Sequence, residues 1–249
     1  QGIGIKAFSI PPADEKALKL GKDNSNCKEC LPFQTTLGSI LNYVQNDRPE
    51  GELTVYFMPS APGPCRFGQY NVFTKRAIQQ HNLKDIAVFS LNSENSYGGL
   101  GIPFLLKAMQ SIVIGDLFEE MRSTILASAV DKENALHVLN SNYKKIQNSM
   151  PDTWRTTRQI KASAKELSTI TLKRAYAEIP KISLIGEIYV RHDPISLQHL
   201  VEKLAERGFI VRTACITEWL KYVDWLVKKG ILGKRNIRFW ANHFIKEHA

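Results

Sequence analysis

Leu53-Thr54-Val55-Tyr56-Phe57-Met58 is a compact run of β-branched and aromatic residues, closed by a Pro- and Gly-rich loop, Pro59–Pro64, that delivers Cys65. A helical stretch runs from there to about Gln80, and Ile86-Ala87-Val88-Phe89-Ser90-Leu91 reads as a second, buried strand. Strand, helix and strand at this spacing predict a βαβ unit and a parallel pairing. Upstream, Gly2–Phe8 alternates as a short strand would. A helix is predicted over Ala13–Leu20, closed by Gly21. The polar loop Lys22–Glu29 feeds a further helix, marked by Leu37, Ile40, Leu41 and Val44 and ending near Asn46.

From Pro103 to about Glu178 the pattern is nearly continuous helix. Leu105, Met109, Ile112, Val113 and Leu117 mark one apolar face, Leu136, Leu139, Tyr143 and Ile146 another, and Pro151 breaks the run. Ile182–Val190 then reads as the strongest strand in the chain. Leu197, Leu200, Val201 and Leu204 give a helix capped by Gly208, and Phe209–Thr213 completes a second βαβ unit. Trp219, Tyr222, Val223 and Leu226 mark one more helix, and Asn236–His248 ends the chain as a basic amphipathic stretch. The fold class is therefore α/β: a first part over 1–102 carrying cysteine loops, a helical insertion over 103–178, and a second α/β part over 179–249 with the last helices.

The 249 residues are 43% hydrophobic and 23% charged, which excludes disorder as a global description. No apolar run approaches the ~20 residues of a membrane span, and no signal peptide is recognisable, so the expectation is a cytoplasmic protein without a membrane partner. The net charge of +9 fits an acidic protein partner or an anionic ligand such as a nucleotide or coenzyme A. The stretch Lys228–Lys246 interleaves basic residues with Phe239, Trp240 and Phe244, as a nucleic-acid face would. An ordinary solvated helix looks the same, and with no recognition motif nucleic acid is the disfavoured partner.

Cys27-Lys28-Glu29-Cys30 brings two thiols close enough to share a metal, and Cys65 arrives between a strand and a helix. Helix N-termini favour thiolate, and ligands of α/β sheets gather at the carboxyl ends of strands. Three thiolates from two loops suit an iron–sulfur cluster; unrelated surface thiols are the bland alternative. Cys215, in an apolar context, reads as packing. Gly98-Gly99-Leu100-Gly101 misses both the dinucleotide and P-loop spacings and reads as a turn. The histidines and serines form no zinc- or serine-hydrolase motif. Glu187 and Arg191, four apart in Gly186-Glu187-Ile188-Tyr189-Val190-Arg191, would face a strand-end crevice, with a structural salt bridge as the plain reading.

Several blocks occur together, in order: Glu29-Cys30-Leu31-Pro32, Tyr56-Phe57-Met58-Pro59, Gly63-Pro64-Cys65-Arg66-Phe67-Gly68-Gln69-Tyr70, Gly186–Arg191 and Glu218-Trp219-Leu220. The set resembles the dehydratase-like part of acyl-CoA dehydratase activase-related proteins. These are similar to the cluster-bearing subunits of 2-hydroxyacyl-CoA dehydratases and to double-cubane cluster proteins. The likeness spans about Gln1 to Tyr222, and the block around Cys65 is its most specific part. It implies Rossmann- or flavodoxin-like units and an iron–sulfur cluster, [4Fe–4S] or double-cubane, reduced by an ATP-hydrolysing activator. By position it implies Cys30 and Cys65 as metal ligands, Cys27 as a third candidate that is not a fixed family feature, and Arg66 and Gln69 beside the cofactor. Glu187 and Arg191 would tune or orient the pocket as catalytic residues.

Two features depart from that family. The activator's nucleotide-binding elements do not occur here, nor does a further cysteine in a Gly-Pro-x-Gly-Cys-Met-Pro-like loop. The expectation is thus a piece of a longer polypeptide with part of the ligand set, able to lack its cluster. The leading function is an iron–sulfur electron-transfer or reductase module acting on a 2-hydroxyacyl-CoA or another small molecule. A non-catalytic domain that docks the activator is the alternative, and a nucleic-acid binder the third reading; whether the chain is itself an enzyme stays open.

Overall fold

A computed structural model describes residues 7–26, 28–60, 65–91 and 100–231, with no side-chain description for 101 and 102. The expected strand Gly2–Phe8, the Gly98–Gly101 turn and the basic end Asn236–His248 lie wholly or largely outside the described residues. The chain is mostly helical, 61%, with two small parallel sheets, an α/β mix. It divides into two compact units: Phe8–Gly101 with Asp193–Gln198, and Ile102–His192 with the described residues from His199 on. The helices expected as an insertion thus share a unit with the second βαβ segment.

In the first unit, α1 (Glu15–Asp23) starts where the Asp14 carboxylate accepts from Ala17 N at 2.7 Å. α2 (Leu31–Asn42) carries Pro32 in its first turn and runs on into a wider turn over Tyr43–Asp47. Gly21 does not end α1, as the sequence suggested, but lies inside it. Its lack of a side chain serves close packing: a Cβ there would sit 1.7 Å from Gln34 O.

β1 (Thr54–Phe57) and β2 (Ile86–Phe89) pair in parallel with Thr54 opposite Ile86, and α3 (Tyr70–Gln80) makes the crossover. Phe33, Leu37, Ile40, Leu41, Met58, Tyr70 and Ala77 form the core, with Tyr56, Ile86 and Val88 packed against it. β2 alternates rather than being buried throughout; Val55, Phe57 and Phe89 stand exposed on these strands.

The second unit opens with α4 (Gly101–Ser128), α5 (Lys132–Ser149) and α6 (Thr153–Leu167). Asp131 and Asp152 cap the last two, and the break at Pro151 falls between them. Ile125, Ala129, Ala135 and Leu139 make the apolar centre of this bundle. The face expected on α4 is covered only in part: Met109 is buried, but Val113 and Leu117 are exposed. β3 (Lys181–Leu184) and β4 (Ile210–Thr213) are again parallel, Lys181 opposite Ile210.

The strand expected over Ile182–Val190 stops at Leu184. Gly186 takes φ +145°, and the Glu187 carboxylate accepts from Val190 N at 2.8 Å, capping a short helix α7 (Ile188–His192). α8 (Leu200–Glu206) leads through Gly208, at φ +80°, into β4, and α9 (Ile216–Lys228) follows.

Candidate functional site

Cys30, Cys65 and Cys215 share one local geometry. Each is an extended residue directly preceding a helix: Cys30 before α2, Cys65 before a 3₁₀ turn over Arg66–Gln69 that runs into α3, and Cys215 before α9. All three are free thiols. Helix starts of this kind offer unpaired amides and a positive dipole end.

In the first unit, Cys30 Sγ lies 2.5 Å from Tyr70 Oη. Tyr70 is the first residue of α3 and is buried, its ring packed at 5.1 Å from Phe33 and 5.3 Å from Phe67. The aromatic group therefore joins the start of α2 to the turn that follows Cys65, whose carbonyl accepts from Gly68 N at 3.2 Å. Cys30 is half-buried, whereas Cys65, Arg66 and Gln69 are exposed. Beside Cys30, Glu29 Oε2 is buried with no partner among the described residues. Cys27 lies outside them. Among the described residues, no three His, Cys, Asp or Glu side chains are grouped to hold a metal. Among the described residues the cysteine loops thus offer two sulfur donors, Cys30 and Cys65, half of a four-thiolate cluster set.

Glu187 and Arg191, read as pocket-tuning catalytic residues with a structural salt bridge as the plain alternative, sit in the other unit and form no salt bridge with each other. Glu187 is engaged as the cap of α7. Arg191, 7% exposed, donates from Nη1 to Gly186 O at 2.6 Å and from Nη2 to Cys215 O at 3.4 Å, and its Nε has no partner among the described residues. Its charge ties the loop after β3 to the loop after β4 through carbonyl dipoles rather than a carboxylate.

Around it, α4 supplies acid groups that sequence reasoning missed. Asp116 accepts from Ile216 N at 3.0 Å and from Thr217 N at 2.9 Å, closing the start of α9. Glu119 pairs with His192 Nδ1 at 2.6 Å. Burial pushes the Cys215 thiol up, and the nearby Asp116, Glu120 and Glu218 add to this while Arg212 opposes it. That environment disfavours the thiolate at Cys215, which is half-buried and belongs to neither apolar core.

No protein-family model, curated protein or solved structure matches this chain.

Proposed function

We propose that the chain is an iron–sulfur electron-transfer or reductase module of the 2-hydroxyacyl-CoA dehydratase type, built on Rossmann- or flavodoxin-like units and reduced by an ATP-hydrolysing activator in the cytoplasm. The observation that carries the reading is the contact between Cys30 Sγ and Tyr70 Oη, which links the Cys30 loop to the helix opened by the Cys65 turn. Cys30 and Cys65 would hold the cluster, with Cys27 or a donor from another segment or subunit completing the set. When bound, such a group supplies one-electron transfer at low potential, set by burial and by hydrogen bonds to sulfur.

The chain's own residues have definable parts. Tyr70, fixed by Phe33 and Phe67, holds a hydroxyl against Cys30 and orients its sulfur. Arg66 and Gln69, exposed on the turn after Cys65, are available to an anionic or polar substrate such as an acyl-CoA. Arg191 and Glu187 hold the strand-end loops of the second unit.

Anaerobic reconstitution with iron and sulfide tests this, read as bound iron and visible absorption. Cys30→Ala and Cys65→Ala should each lower bound iron severalfold. Variants that retain as much iron as the parent defeat the ligand assignment. The alternative is a domain that docks the activator without chemistry. It predicts activator binding by a folded chain that takes up no iron at all.

A further inference from the structure

Trp154 stands 88% exposed on the first turn of α6. An indole has a large apolar area and usually finds some cover. Around it Arg155, Arg158 and Lys161 are exposed, and their charged heads have no ion pair or hydrogen bond among the described residues. Trp154, Arg158 and Lys161 follow at intervals of four and three, so they share a helix face with Thr157 beside them. With Arg155 and Asp152 they line an open hollow of about 550 Å³.

The other groups nearby are already engaged. Asp152 Oδ1 caps α6 through Arg155 N while its carboxylate stays exposed at the rim, one negative charge against three cations, and Lys107 Nζ donates to Thr153 Oγ1 at 3.2 Å. Thr156 and Ser163 carry the buried side of the helix. The unpaired cations and the bare ring thus lie together on one surface, which asks for a ligand that is both anionic and flat.

We propose that this hollow binds a nucleoside di- or triphosphate, with the base stacked on Trp154 and the phosphates on Arg155, Arg158 and Lys161. The lining side chains are all exposed, so the ligand would lie along an open face of α6 rather than inside an enclosed cleft. From Arg155 to Lys161 the helix rises about 9 Å, enough to address successive phosphates of one chain. Guanidinium groups suit phosphate oxygens through paired N–H donors.

Two larger occupants fit less well. A protein interface has an apolar centre depleted of charge, whereas among the described residues Trp154 is the sole apolar side chain lining this hollow. A single nucleic-acid strand is held by successive aromatic platforms, and this face offers one. The site is separate from the cysteine loops, which lie in the other unit, so it stands or falls independently of the cluster reading.

Calorimetric titration of the whole chain with ADP and ATP, at fixed ionic strength, tests the proposal. Both nucleotides should bind, and tripolyphosphate, which lacks the ring, should bind at least about tenfold more weakly. Trp154→Leu should weaken ATP binding about tenfold or more, the range of a lost stacking contact. Arg155→Gln with Arg158→Gln should weaken ATP and tripolyphosphate alike. These side chains are exposed, and unchanged circular dichroism confirms that folding is intact. Tripolyphosphate binding as tightly as ATP, displacement of ATP by polyglutamate, or far tighter binding of a 20-nucleotide oligothymidylate would each overturn the proposal, as would no heat from ATP at millimolar concentration.

Discussion

Gly21 of α1 and Gly38 of α2 face each other's helices at backbone contact: a Cβ on Gly21 would sit 1.7 Å from Gln34 O, and one on Gly38 1.7 Å from Ala17 O. Neither obstacle is a flexible side chain that could swing away. Gly21→Ala and Gly38→Ala should therefore each cost about 3 kcal/mol or more, the upper range of overpacking. Gly115→Ala in α4 meets nothing within 4 Å and should stabilise by up to about 1 kcal/mol through helix propensity. Urea midpoints of the three variants decide it, and equal midpoints would remove the helix crossing.

Glu187 and Arg191 act on different partners, and a double-mutant cycle can read that directly. Glu187→Ala removes the acceptor of Val190 N and should cost about 1 kcal/mol, as a lost helix cap does. Arg191→Met removes the bonds to Gly186 O and Cys215 O. Because both hold the turn from Gly186 to Arg191, a coupling of up to about 1 kcal/mol is expected through the shared backbone. A coupling above 1 kcal/mol would restore the ion pair.

The same pair shows how far the sequence could be read. The β-rich runs around Val55 and Val88, the intervening helix and the breaks at Pro151 and Gly208 are local signals, and each marks an element found in the fold. Ile188, Tyr189 and Val190 carry an equally strong strand signal, but a glycine at positive φ and a capping carboxylate turn them into helix. Side-chain capping outweighed propensity there. Gly21 misled for a related reason: a glycine that ends a helix and one that admits a neighbouring backbone look alike until the neighbour is known. Among the cysteines, Cys30 was legible as a candidate from its Cys-x-x-Cys spacing and Cys65 from its place between a strand and a helix. The partner of Cys30 was not, because Tyr70 lies 40 residues away and no local pattern records that contact. Asp116 was hidden likewise, 100 residues from the amide it accepts.

Asp116→Ala should loosen the second unit. It leaves Ile216 N, Thr217 N and the Thr217 hydroxyl without their acceptor at the start of α9. Losing a cap with two amide bonds and a hydroxyl bond should cost about 2 kcal/mol. Hydrogen exchange at Ile216 and Thr217 should accelerate well before exchange in α2. Uniform acceleration across both units would instead mean that the chain unfolds as one.

The thiols should separate by pH. Cys215 is held protonated by burial and by the acid groups around it, so its folded pKa lies above the ordinary thiol value. In the unfolded chain the same thiol ionises at lower pH. The stability it contributes is therefore complete below the unfolded pKa and is lost as pH rises through the folded one. Iodoacetamide labelling, mapped by mass spectrometry, should find exposed Cys65 modified ahead of Cys215 at neutral pH. The Cys215 rate should climb only at more alkaline pH than a model thiol requires. Should Cys215 label with the profile of a free thiol, the half-buried acidic setting formed by Asp116, Glu120 and Glu218 is not the one the chain adopts in solution.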